Sequence, residues 1–305
     1  MSIPYEQLEK WKKRGDDKKS SKTYELIVQL LREYCGDIVD VNSDNVFLQG
    51  SYANHTNIKD DSDIDVVVLA DDVFSNNARD VLNQIQLNEF LETYSPSTKT
   101  LGWFKDALYQ RLNGKQISGQ IVIMERGCKT IKFNQDGELW QYVPVDIVPA
   151  FEYRNYTGRN GIKKEYQIEG IKIYDSCKGE EKVNYPKLHK KNGEDKNSVI
   201  RTNGNYKETV RVFKQMRNHL IDLGVIDENL MPSYGLECMM YNVPDTLFKE
   251  DLVERVDSII QWLITNVKDS FVEQSSMRLL FDETLKIEEA RIFIKACQWL
   301  SNNWR

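Results

Sequence analysis

Two aspartates one residue apart, Asp63 and Asp65, open the apolar run Asp63-Ile64-Asp65-Val66-Val67-Val68-Leu69. A third, Asp146, lies inside another apolar run, Val143 to Val148. In a strand, residues two apart face the same side, so Asp63 and Asp65 project together while Ile64 and Val66 face away. A lone carboxylate in an apolar strand is expensive without a partner. Three carboxylates brought together raise one another's pKa. Hard divalent cations relieve that repulsion, and Mg²⁺ in particular uses a few carboxylates plus substrate phosphates. Upstream, Gln49-Gly50-Ser51-Tyr52-Ala53 offers a phosphate cradle: glycine lets backbone come close, and the serine hydroxyl and nearby amides bond phosphate oxygens. A strand-end Gly-Ser, a two-carboxylate strand and a third carboxylate on a neighbouring strand together make a two-metal phosphoryl-transfer site. Each piece alone is common. Gly-Ser marks turns, Asp-x-Asp marks solvated strand ends, and Asp60, Asp61, Asp71 and Asp72 read as loop carboxylates or helix caps. The ordered combination carries the inference.

The elements that must position these residues are legible by periodicity. Tyr5 to Tyr34 reads as helix, with Leu26, Ile27, Leu30, Leu31 and Tyr34 at helical spacing and Gly36 as its stop. Asn45 to Leu48 reads as a short strand ending at Gly50-Ser51, followed by a polar loop over Asn54 to Ser62. Asp63 to Leu69 is a strand ended by Asp71-Asp72. Asn77 to Tyr94 has helical spacing through Val81, Ile85, Leu87 and Leu91. Strands return at Ile117–Ile123, Thr130–Phe133 and Tyr142–Val148, the last two joined by the hairpin turn Asn134-Gln135-Asp136-Gly137. The first half therefore mixes helices with a mainly antiparallel sheet. From Asn197 onward only helical spacing remains, at Tyr206–Leu223, Ser233–Tyr241, Leu252–Val267 and Ile287–Leu300. Polar Gly179–Asn197 reads as the loop crossing between two domains.

With 305 residues, 40% hydrophobic and 29% charged, the chain has room for about two domains and a real core. That composition excludes collagen-like, disordered and disulfide-framework classes. The longest apolar run, near Val66–Ala70, is far short of the roughly 20 residues that span a bilayer. The charged Met1–Arg14 segment has no signal-peptide stretch. A net charge of −6 argues against a large nucleic-acid interface. The cysteines, Cys35, Cys128, Cys177, Cys238 and Cys297, are widely spaced with no Cys-x-x-Cys pair, which predicts buried reduced thiols in a cytoplasmic protein and no structural zinc.

At the level of motifs the chain resembles the polymerase-β-like nucleotidyltransferases, and within them the CD-NTases, bacterial relatives of cyclic GMP–AMP synthase. The matching residues are Leu48-Gln49-Gly50-Ser51-Tyr52, Asp63-Ile64-Asp65 and Val145-Asp146-Ile147-Val148-Pro149-Ala150. Further matches are Tyr185-Pro186-Lys187-Leu188-His189, Lys196-Asn197, Thr202, Lys207, Lys214 with Arg217-Asn218, and Pro232-Ser233-Tyr234 with Glu237. The resemblance runs from about residue 20 to 245. It implies an α+β fold: a nucleotidyltransferase core domain at 1–183 with a mixed, mainly antiparallel sheet, and a helical domain at 184–305 closing the nucleotide cleft. It implies that Asp63 and Asp65 bind two Mg²⁺ ions, with Mn²⁺ as a substitute, and that Asp146 binds the catalytic ion and helps activate the acceptor hydroxyl. Ser51, with Gln49 and Gly50, would hold the donor triphosphate. Lys214 and Lys207 would meet triphosphate oxygens, Ser233 would touch phosphate, and Tyr234 would stack on the donor base. Without the motif, basic residues such as Lys207, Lys214 and Arg217 on one helix face are normally solvated. His55 reads as a loop hydrogen-bonding residue, and His189 and His219 as structural.

Asn184 occupies a position that resembles the family's base-reading residue, and its amide both donates and accepts. In similar enzymes asparagine there goes with pyrimidine donors, which implies that UTP is accepted. The implied activity is condensation of NTPs into a cyclic di- or trinucleotide second messenger with release of pyrophosphate, in CBASS anti-phage defence, alongside accessory or effector proteins. Two other classes remain open at this point: a linear oligonucleotide synthase or RNA/tRNA nucleotidyltransferase, and a non-enzymatic nucleotide-binding regulatory module.

Overall fold

Three consecutive valines, Val66 to Val68, lie in the first half of the longest strand, an interior strand of its sheet. The computed structural model describes residues 2–15, 18–58, 63–117, 120–134, 139, 141–157, 167–282 and 284–304. In chain order its helices are α1 (Tyr5–Trp11), α2 (Lys18–Tyr34), α3 (Gly50–Asn54), α4 (Ala78–Val81), α5 (Gln84–Thr93), α6 (Leu101–Leu112), α7 (Pro186–Lys196), α8 (Val199–Thr202), α9 (Asn205–Asp222), α10 (Ser233–Tyr241), α11 (Leu252–Asn266) and α12 (Ile287–Asn302). Its strands are β1 (Val46–Gln49), β2 (Ile64–Asn76), β3 (Lys115–Ile117), β4 (Gln120–Val122), β5 (Met124–Arg126), β6 (Ile131–Phe133), β7 (Val145–Tyr156), β8 (Gln167–Asp175) and β9 (Glu180–Asn184). None of the described helices is long and apolar enough to cross a membrane.

The chain divides into two units, one comprising Asp16–Gly50 and Ser62–Lys187, the other Met1–Gly15, Ser51–Asp61 and Leu188–Arg305. The first is the sheet unit. Its seven-stranded sheet runs β1-β2-β7-β6-β5, with β8 pairing β7 and β9. Only β2 and β7 run parallel, so the sheet is mixed and mainly antiparallel. Ile64, Val66, Val68, Val145 and Ile147 point to one face and are fully buried. Val67, Leu69, Val148, Ala150, Ile171 and Ile173 form a second apolar cluster on the other. A strand buried on both faces reads as a continuous apolar run, which is why Val66–Ala70 is unbroken, with charge only before it at Asp63 and Asp65 and after it at Asp71 and Asp72.

The second unit is helical. Its core gathers Leu8 and Trp11 of α1, Val210, Phe213 and Met216 of α9, Leu236 and Met240 of α10, Ile259 and Leu263 of α11, and Phe293 and Leu300 of α12. The amphipathic stripe of α1 explains why Met1–Gly15, which precedes the boundary expected at 183/184, groups with the later helices.

Several expected elements differ in detail. The helix read over Tyr5–Tyr34 is two, α1 and α2, and that over Asn77–Tyr94 is α4 and α5, with Asn83 closing a capping box on α5. The strand read at Ile117–Ile123 is instead the short pair β3 and β4. β2 continues past Asp71-Asp72 to Asn76, and β7 starts at Val145 and runs to Tyr156. Gly179–Asn197 is no loop but β9 and α7. Helix α7 escaped the apolar-period test because its inward positions are His189, Gly193 and Lys196, buried polar or small residues held by hydrogen bonds. Helix α6 and strand β8 had no counterpart among the expected elements. Gln135, Asp136 and Gly137 of the expected hairpin turn, and Asp60 and Asp61, lie outside the described residues.

Candidate active site

Across the sheet unit, strand register places four polar side chains in one row. Gln49 on β1 is the partner of Asp65 on β2, Asp65 is the partner of Asp146 on β7, and Asp146 is the partner of Lys132 on β6. Register partners share a face, with Cβ atoms about 5 Å apart between neighbours, so all four project to the same side. Asp63, two residues before Asp65, joins them. Asp63 is exposed, Asp65 and Asp146 half-buried.

Gly50 completes this arrangement. Its φ is +67°, in the left-handed region, and a Cβ added there would overlap Asp65 Oδ2. A side chain at residue 50 would make the Asp65 carboxylate shift from where it lies against the start of α3. Gly50→Ala therefore meets two penalties, a left-handed backbone costing roughly 1–2 kcal/mol and a displaced Asp65. The expected result is a drop in melting temperature together with at least a tenfold loss of nucleotidyl transfer; a Gly50→Ala chain with unchanged rate would show that Asp65 need not sit there.

Asp146 has the most unusual environment. Its carboxyl is pushed above the ordinary carboxylate range, first by burial, opposed by the Lys132 ammonium, raised further by the Asp63 charge and opposed by a hydrogen bond from Thr130. Its buried Oδ1 has no hydrogen-bond partner among the described residues. An orphaned buried carboxylate oxygen beside two more carboxylates is the donor set a hard cation takes, so these residues fit a divalent ion. The three aspartates stand around the starts of the neighbouring strands β2 and β7, and their ligating oxygens do not all lie within 4.8 Å of one another. The group of three ligating side chains with mutual spacings within 4.8 Å among the described residues is Cys128, Asp175 and Cys177. That group is not a metal centre: its two sulfurs are bonded to each other, and Lys129 lies 3.6 Å from Asp175. The expectation of five reduced cysteines is thus corrected for this pair, since two cysteines far apart in sequence meet where two turns adjoin. Cys35, Cys238 and Cys297 are free and buried.

The helical unit holds a second polar cluster, centred on Glu237 of α10. Thr56 Oγ1 donates to Glu237 Oε2 at 2.8 Å, Lys214 Nζ of α9 lies 3.9 Å from the same oxygen, and His189 of α7 lies 3.2 Å from Oε1. A carboxylate only accepts, so His189 Nε2 is the donor, and its buried Nδ1 has no partner among the described residues. Burial alone would push Glu237 up, but His189, Lys214 and Thr56 together hold its carboxyl below the ordinary range. Tyr234 is half exposed and stacks its ring on His189, with centroids 5.4 Å apart and planes 24° apart. Ser233 begins α10, half-buried.

Lys207 and Lys214 are not solvated residues of a helix face; both are buried, and burial holds Lys207 below the ordinary lysine range. Ser51 stands in the first turn of α3, its carbonyl accepting from the Thr56 amide at 2.9 Å. Asn184 is not a turn residue but ends β9 opposite Ile171. The carbonyl of His55 accepts from Arg211 at 2.7 Å. Sequence reasoning assigned no role to Thr130, Lys132, Thr56, His189 or Glu237. Glu237 and His189 sat within the quoted motifs, but nothing in their spacing showed that they meet.

Comparison with known proteins adds to this geometry. A model for the cGAS/DncV-like nucleotidyltransferase C-terminal helical domain matches residues 191–302, and one for a nucleotidyltransferase domain matches residues 28–173. Cyclic UMP-AMP synthase of Rhodothermus marinus is 36% identical over 307 residues, spanning 100% of this chain and 99% of that protein. Cyclic nucleotide synthase CdnE01 of Staphylococcus haemolyticus is 35% identical over 314 residues, spanning 100% of both. The solved structure of the Rhodothermus marinus CdnE c-UMP-AMP synthase with Apcpp and Upnpp aligns at a TM-score of 0.81 with 35% identity, covering 99% of this chain and 97% of that one.

Proposed function

Because this chain belongs to the CD-NTases, the cGAS/DncV-like nucleotidyltransferases, we propose that it condenses two or three NTPs, UTP among them, into a cyclic nucleotide with release of pyrophosphate. The observation that carries the chemistry is the row Gln49–Asp65–Asp146–Lys132 with Asp63 beside it. In each step a 3′- or 2′-hydroxyl oxygen bonds to the α-phosphorus of a donor, the α–β phosphoanhydride breaks, and the hydroxyl proton leaves. Asp63, Asp65 and Asp146 would hold a pair of divalent ions, Mg²⁺ or Mn²⁺. When bound, such ions neutralise charge on the attacking and leaving oxygens of an in-line displacement. Asp146 helps take the proton of the attacking hydroxyl; its orphaned Oδ1 supports that role. In this reading Gln49 and Gly50 of the sheet unit are triphosphate-binding residues; in the helical unit Ser51, Lys207, Lys214 and Ser233 are phosphate-binding residues and Tyr234 is a base platform. An aromatic face is worth about 1–3 kcal/mol per stacked base.

The uridine assignment rests on the Asn184 amide and on the relative named for cyclic UMP-AMP. Incubation with single α-³²P-labelled NTPs and their mixtures, followed by mass spectrometry of the products, is the test. A uridine-containing ring is expected, and products from purines alone would overturn the assignment. Asn184→Ala should raise the UTP requirement by roughly 2–10-fold, the worth of a hydrogen bond or two, with little change for purine donors. Such a product suits a second messenger in CBASS defence acting through an effector, and a cytoplasmic location is part of the same proposal.

A further inference from the structure

The Cys128–Cys177 bond joins two turns of the sheet unit, one between β5 and β6 and one between β8 and β9. Both cysteines are exposed. The two turns are also tied without sulfur. The Ser176 amide donates to the Cys128 carbonyl at 2.9 Å, and Ser176 Oγ donates to it at 2.8 Å. Lys105 Nζ donates to the same carbonyl at 2.7 Å, and Asp175 Oδ1 accepts from the Cys177 amide at 3.1 Å. Cutting the bond therefore leaves the two sulfurs as neighbours, which makes re-closure easy. Two ammonium groups, Lys105 and Lys129, stand close by, and the Asp175 carboxylate, 3.6 Å from Lys129 and within 4.8 Å of both sulfurs, offsets their charge.

The turn that carries Cys128 also carries Thr130, which hydrogen-bonds Asp146, and leads into Lys132, the cross-strand partner of Asp146. Gly127 holds that turn tightly: its amide donates to the Thr130 carbonyl at 3.0 Å, and a Cβ on it would press on Thr130 Oγ1 and the Lys132 stem. We propose that Cys128 and Cys177 are a reversible thiol–disulfide exchange site whose state sets how firmly Thr130 and Lys132 hold the Asp146 carboxylate. The co-reactant is a low-molecular-weight disulfide. One protein thiolate attacks it, forming a mixed disulfide and releasing one thiolate. The second protein thiolate attacks the protein sulfur of the mixed disulfide, closing the bond and releasing the other thiolate. Two protein thiols are oxidised, and one small disulfide is reduced to two thiols. The coupling to activity rests on the nucleotidyl-transfer reading above; the exchange itself does not.

The full chain is equilibrated across ratios of reduced to oxidised glutathione, trapped by alkylation and weighed intact. In parallel, hydrogen exchange of Ile131–Phe133 and the Mg²⁺ dependence of pyrophosphate release are measured. The expected result is a single transition in which alkylation, exchange and Mg²⁺ requirement move together. The oxidised chain should need about 3–10-fold less Mg²⁺ for half-maximal rate, the worth of part of one hydrogen bond to a charged group. Cys128→Ser should match the reduced chain at every ratio, and Cys177→Ser should do the same. A pair that stays alkylated at all ratios overturns the proposal, as does a bond that titrates while exchange and Mg²⁺ requirement stay constant. If neither redox state makes product, the nucleotidyl-transfer reading fails, while alkylation and exchange still decide the site.

Discussion

Asp146→Asn is expected to abolish pyrophosphate release, by about 10³-fold or more, and to raise the melting temperature in the presence of a chelator. The first effect follows from the removal of one carboxylate from the ion-binding set and of the proton acceptor; a thousandfold is roughly 4 kcal/mol of transition-state stabilisation. The second follows from the environment of the carboxyl. Burial, with the Asp63 charge, lifts it above its ordinary value despite Lys132 and Thr130. A carboxyl raised on folding leaves the fold most stable below the unfolded pKa, about 3.9, and weakens it as the pH climbs through the folded value. In its charged form, above the folded value, Asp146 destabilises its own sheet, and a neutral amide of nearly the same shape removes that strain. The gain in melting temperature should shrink as the pH falls below 4, where Asp146 is itself neutral. Thermal unfolding at pH 7 and pH 3, paired with a pyrophosphate assay, checks both halves. An Asp146→Asn chain that is less stable at pH 7, or that retains its rate, contradicts the assigned role.

The second large effect belongs to the helical unit. Glu237→Ala leaves the buried Lys214 ammonium, His189 Nε2 and Thr56 Oγ1 without their shared acceptor. Removing one partner of a buried charged pair typically costs about 3–5 kcal/mol. For a unit of this size that is a fall of about 10 °C or more in melting temperature. Glu237→Gln keeps the acceptor and loses only the charge, so it should fall less. It should also flatten the acid limb. A carboxyl held low on folding contributes stability above its unfolded pKa, about 4.3, and that contribution is lost as the pH falls through the folded value. Glu237 acts as a positioning residue for Lys214, so Glu237→Gln should raise the NTP concentration needed for half-maximal rate more than it lowers the maximal rate. Equal stability of all three chains at pH 7 would mean that the cluster is not holding the helices together.

Much of the sheet unit was legible because its signals are local. The run Asp63–Leu69 shows both the strand and the face its carboxylates take, since alternation in a strand needs only a few neighbouring residues. Helices α9 to α12 were equally plain, because each buries an apolar stripe at helical spacing. Helix α7 was not, because its inward face is polar and is satisfied by partners far along the chain: Lys196 reaches the Val243 carbonyl and Asp245, and Gly193 packs against Gln274. Strand β8 carries its own alternation, Ile171 and Ile173 buried with Lys172 and Tyr174 between and after them, and pairs with β7 and β9 on either side, yet it is absent from the expected elements.

By itself the sequence determined the family, the chemistry available to it, and the side of β2 on which Asp63 and Asp65 stand. Residue type and local period are enough for those. Only the tertiary structure decided that Asp146 is the register partner of Asp65, that Gly50 lies against that carboxylate, that Lys214 is buried beside Glu237 rather than solvated, and that Cys128 meets Cys177. Each of these joins residues that are distant in the chain, and whether they meet depends on how strands are registered and helices packed, which the spacing of residues along one strand or helix does not encode.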